Sequence, residues 1–172
     1  YNNERAIIDG TFKAHGKDVY YWGLEFTDKT TPYLSMSLTR SQKEAKMLSG
    51  SYSFCSFNLE AAPSSKFINN IFHDSYGQIE YGISSSNSIF YGNIVLNMGE
   101  QCLDNERGVG VYTQNREGTR ELTDNIVAQN ILNGIDVWSS GSSYINNYTL
   151  EGNICFNNGY GKVQSGRNML TG

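Results

Sequence analysis

Several features are missing from this chain. No apolar run approaches the ~18 residues that a membrane-spanning helix needs, which argues against a bilayer partner. There is no Lys/Arg cluster to neutralise phosphates, and the formal net charge is −4, so nucleic acid is not the expected partner. Cysteine is limited to Cys55, Cys102 and Cys155. Their spacing fits no zinc pattern, and an odd count argues against a disulfide framework. One pair can still bridge, so the redox compartment stays open. Proline is scarce, at 2 residues, which leaves turns to other residue types. The opening residues, Tyr1-Asn2-Asn3-Glu4-Arg5, lack signal-peptide features, and there is no initiator Met. Either a leader was removed or the chain is a piece of a longer one.

What is present points to many short strands. Gly is abundant, at 18 of 172 residues, and Asn is about as common. Both tolerate positive φ and so suit tight turns. Hydrophobic residues make up 38% and charged residues 17%, which fits one folded domain over 1–172.

One phrase recurs from residue 66 onward. It reads Asn70-Ile71-Phe72-His73, then Asn93-Ile94-Val95-Leu96, Asn125-Ile126-Val127-Ala128 and Asn153-Ile154-Cys155-Phe156. Asn168-Met169-Leu170 reads as a fifth, fading copy. A second phrase lies between the copies: Ile79-Glu80-Tyr81-Gly82, Val111-Tyr112-Thr113-Gln114 and Ile135-Asp136-Val137-Trp138. Its period-2 alternation is a strand signature. Unequal spacing between copies fits a solenoid whose corners carry insertions. The expected fold is an all-β, right-handed parallel β-helix. Ile71, Ile94, Ile126 and Ile154 are expected to stack as an aliphatic core column, and Asn70, Asn93, Asn125 and Asn153 as a polar corner column. Val19 to Phe26 reads as one strand, and 27–50 as a corner-loop insertion with room for one helical turn. The competing fold is an antiparallel β-sandwich. It does not explain the Asn-Ile phrase.

Three stretches carry a resemblance. They are Ser65 to Asp74, Gly110 to Asn115 and Leu150 to Gly159. Each resembles bacterial right-handed parallel β-helix repeat proteins of the pectate-lyase-like superfamily. The resemblance implies polysaccharide lyases, hydrolases and epimerases, and also non-catalytic glycan binders. Fold alone does not choose among them. This chain departs from the family pattern at Gly108-Val109-Gly110, where relatives often carry His between the glycines. The resemblance also implies Lys or Arg as a lyase base, here Arg107 or Arg120, and calcium held by loop carboxylates, here Asp104 and Glu106. No spacing matches a dedicated metal loop, so no cofactor is evident.

Aligning the second phrase turns Ile79, Val111 and Ile135 inward. Glu80, Tyr112 and Asp136 then form one outward column, and Gly82, Gln114 and Trp138 a second. Carboxylates two rungs apart are about 9–10 Å apart at Cα. That is near the ~6.5–9.5 Å used by inverting glycosidases. Glu80 and Asp136 are the candidate acid and base, with Tyr112 between them. Trp138, Gln114 and Arg107 are the candidate sugar contacts. The alternative is a set of solvated side chains on a sheet face. His73 aligns with Leu96, Ala128 and Phe156, core-type positions, and reads as a satisfied interior or corner residue. The leading expectation is a secreted or periplasmic protein that cleaves a polysaccharide, by hydrolysis or lyase chemistry. The alternative is a glycan-binding or assembly module. Open β-helix ends also predict end-to-end association.

Overall fold

The computed structural model describes residues 4–28, 55–99, 108–159 and 166–172. Every element in them is a short strand. The first sheet holds β1 (Ile7–Asp9), β4 (Glu25–Asp28), β7 (Ile71–Ser75), β10 (Ile94–Met98), β13 (Ile126–Ala128) and β16 (Ile154–Phe156). The second holds β2 (Phe12–His15), β5 (Cys55–Ala61), β8 (Gln78–Tyr81), β11 (Val111–Thr113), β14 (Ile135–Val137) and β17 (Met169–Thr171). The third holds β3 (Tyr20–Trp22), β6 (Lys66–Ile68), β9 (Ser88–Tyr91), β12 (Arg120–Thr123) and β15 (Tyr148–Glu151). The chain visits the sheets in rotation, and every strand pairs parallel with the strand one coil away. Parallel neighbours need crossovers, and such crossovers are right-handed in the great majority of cases. The fold is the expected right-handed parallel β-helix.

The corner from the third sheet to the first explains the Asn-Ile phrase. It takes two residues on every coil. The first sits at positive φ: Gly23, Asn69, Gly92, Asp124 and Gly152, at 52–68°. Glycine and Asx tolerate this region best. The second is Asn on four of the five coils. Each Asn Oδ1 accepts from the backbone N–H one coil earlier, at 2.9–3.1 Å. Each Nδ2 donates to a third-sheet carbonyl: Tyr21, Phe67, Phe90 or Leu122. The polar corner column is therefore a continuous amide ladder.

The isoleucine column has the expected register and the opposite direction. Ile71, Ile94, Ile126 and Ile154 are cross-strand partners. They face outward, however, and Ile154 is 56% exposed. The inward column is one residue on: Phe26, Phe72, Val95 and Val127, fully buried, then the half-buried Cys155. Phe26 and Phe72 stack at 4.6 Å. With apolar residues on both faces, period-2 alternation loses its sign.

Other boundaries also shift. Val19 to Phe26 is two strands, β3 and β4, broken at the Gly23-Leu24 corner. Asn168 is not a fifth copy of the phrase. It caps a second ladder, in which Asn130 and Asn158 stack between the first and second sheets. Met169 pairs with Ile135 in the second sheet. Of the expected corner loop 27–50, Thr27 and Asp28 belong to β4, and 29–50 lie outside the described residues.

Candidate functional site

The second sheet brings the proposed residues together as aligned. Tyr112 is the cross-strand partner of Glu80 on one side and Asp136 on the other. Their neighbours Ile79, Val111 and Ile135 are fully buried, so Glu80 and Tyr112 face out. The column continues to Asn58 and Lys13 below and to Leu170 above. Beside it, Gln114 accepts from the Ser143 hydroxyl at 2.5 Å and, at a long 3.5 Å, from Tyr112 Oη. Trp138 is 44% exposed.

Asp136 departs from a plain surface carboxylate. It is only 7% exposed. Asn133 Nδ2 donates to its Oδ2 at 2.8 Å, while Oδ1 is buried without a hydrogen-bond partner. Burial raises its pKa, and the Asn133 bond partly offsets that. Tyr112 is also pushed up, by burial first and then by Glu80 and Asp136. Glu80 Oε2 accepts from Gln78 Nε2 at 3.0 Å. Two carboxylates in unlike settings, one sealed and one half-buried, flank a single phenol.

One residue of this face escaped the alignment. Glu60 lies over Gly82, where an added Cβ would come within 2.8 Å of its side chain. It therefore extends the Gly82, Gln114, Trp138 column by a rung. Phe57 and Asn58 pair with Ile79 and Glu80, and two residues further on Glu60 meets Gly82. The corners bordering this sheet carry the long connections. Those from β4 to β5, β10 to β11 and β16 to β17 leave on one side, and Ser139 to Asn147 leaves on the other.

Other candidates fall elsewhere. Arg107, Asp104, Glu106 and Cys102 lie outside the described residues. Arg120, a candidate base, is fully buried inside the coil. It donates to the Tyr81 and Gly82 carbonyls and to Thr113 Oγ1, with its guanidinium 4.0 Å from the Tyr81 ring centroid. It has no route to the outer face. Val109, between Gly108 and Gly110, is also buried. His73 is not interior. It stands on the outer face of the first sheet, with Nδ1 2.9 Å from Asp74 and Nε2 3.0 Å from Glu25. Its partners Leu96 and Phe156 face out with it. Among the described residues, no group of three or more His, Cys, Asp or Glu is placed to hold a metal ion. No family model, curated protein or solved structure matches this chain.

Proposed function

We propose that this chain is a carbohydrate-active β-helix that receives a polysaccharide on the outer face of its second sheet and hydrolyses it. The observation that carries this reading is the Glu80, Tyr112, Asp136 register. Asp136 is the general acid. A carboxyl with a raised pKa keeps its proton closer to neutral pH and can deliver it to the leaving oxygen. Glu80 is the general base. It takes a proton from the water that attacks the anomeric carbon, and a two-rung separation of about 9–10 Å leaves room for that water. Tyr112 hydrogen-bonds a sugar hydroxyl, and the exposed Trp138 ring stacks on a sugar face. The negative net charge favours a neutral glycan over a polyuronate. Burial of Arg120 removes one of the two lyase bases considered. A polysaccharide substrate also fits a secreted or periplasmic protein.

The test is product formation across a panel of neutral glycans. Wild-type protein releases oligosaccharides, and Asp136→Asn and Glu80→Gln do not. Full activity in Asp136→Asn removes that residue from the mechanism. A second reading, binding without cleavage, is favoured by one feature. Asp136 is only 7% exposed, with Oδ1 buried and Oδ2 held by Asn133, so little of its carboxyl is open to a glycosidic oxygen. Saturable glycan binding with no product in mass spectra would select it.

A further inference from the structure

A second aromatic surface lies on the outer face of the third sheet, away from Glu80 and Asp136. In β3 the central Tyr21 turns inward and stacks on Phe67, with centroids 4.8 Å apart and planes 3° apart. Its neighbours Tyr20 and Trp22 therefore turn outward, and they are 61% and 69% exposed. The register places Trp22, Ile68 and Tyr91 in one column over three consecutive rungs, and Tyr20, Lys66 and Ile89 in the next. Tyr91 is 41% exposed. The Lys66 ammonium sits 5.0 Å from the Tyr20 ring centroid, which restrains that ring against the sheet. The columns then turn polar, through Thr123 and Glu151 on one side and Glu121 and Thr149 on the other.

We propose that this face is a binding platform for an extended β-1,4-linked hexose polymer lying along the coil axis, with Trp22 and Tyr91 stacked on alternate sugars. Three features select that occupant. The rung spacing of about 4.8 Å is close to the length one β-1,4-linked hexopyranose adds to an extended chain. In such a chain every second sugar presents the same face, and the aromatic rings recur on every second rung. Flat rings match the apolar face of a pyranose, and Lys66 and Glu121 border them with groups for equatorial hydroxyls. A second protein copy fits less well. Three aromatic rings at ~150–250 Å² each, even with two isoleucines beside them, fall short of the ~800 Å² per partner of a stable interface. The platform does not depend on hydrolysis at the second sheet.

The test is binding of the full chain to cellulose and cello-oligosaccharides, with amylose as the control because its chain coils. Trp22→Ala and Tyr91→Ala should each weaken cellulose binding about tenfold, a loss of roughly the size of one stacking contact. Trp22→Phe should retain most of it. Circular dichroism checks that the variants stay folded. Two single-tryptophan variants separate the faces. In Trp138→Phe, Trp22 emission reports the third sheet; in Trp22→Phe, Trp138 emission reports the second. A cellulose-induced blue shift in Trp138→Phe supports the platform even if no hydrolysis is ever detected. Undiminished binding in the Trp22→Ala, Tyr91→Ala double variant overturns it. Equal affinity for amylose overturns it too, as does light scattering in which that double variant splits a wild-type dimer.

Discussion

Asn93 Oδ1 accepts both the backbone N–H and the side-chain amide of Asn70, one coil away, at 2.9 and 3.1 Å. Asn93 Nδ2 in turn donates to the Phe67 carbonyl and to Asn125. One buried side chain thus satisfies a backbone donor, a backbone acceptor and two neighbouring amides. Asn93→Ala strands several of these groups without water. At ~1–3 kcal/mol for each buried orphan, the loss should be about 2–5 kcal/mol. Urea denaturation should show a lower midpoint at unchanged slope. Asn153→Ala, at a half-buried position, should cost less.

Gly92 sits at φ 64°, and a Cβ there would collide with Asn69 Oδ1. Gly92→Ala adds left-handed backbone strain of about 1–2 kcal/mol to that collision. The melting temperature should drop by several degrees, at ~2–4 °C per kcal/mol for a chain of this size. Asn69→Gly, at the same corner one coil earlier, should be far milder.

Tyr81 is fully buried, and burial pushes its pKa up to about 12, against the lowering effects of Arg120 and of its bond to Ser88. The folded state therefore holds this proton longer than the unfolded chain does. That contribution to stability is intact below the ordinary value of 10 and is lost as pH rises from about 10 to about 12. Thermal melts across that window should fall steeply. Tyr81→Phe should flatten the alkaline slope, though it also removes a buried bond to Ser88.

The fold was legible because rungs repeat chemistry. The Asn corner and the Ile79, Val111, Ile135 alignment both survive in the observed register. Three things were not legible, each for a physical reason. Ile71 and Phe72 are both apolar, so alternation could not say which faces in. The third sheet was masked by its own composition: Arg120 opens β12 and looks like a surface residue, yet it is a core cation held by carbonyls and a ring. The candidate column itself was readable, while the sealing of Asp136 by Asn133 depends on a corner that alignment does not reveal.

Asp136 gives a prediction that separates a functional group from a structural one. Its pKa is raised by burial, so its contribution to stability is present below the ordinary carboxylate range and is lost as pH rises through the raised value. Once ionised, the group is a burden on the fold. Asp136→Asn should raise the melting temperature in the pH range where the carboxyl is ionised while abolishing hydrolysis, the trade expected of an active-site residue. Asn133→Ala should move the basic limb of the pH–activity profile upward, because it removes the bond that partly offsets burial.

The central claim is that a glycan lies across the Tyr112 column. A crystal structure of Asp136→Asn with an oligosaccharide taken from the best-hydrolysed glycan tests it most directly. The prediction is sugar density over Glu80 and Tyr112, with a ring stacked on Trp138. Density confined to another face, with the Tyr112 column bare, would contradict it.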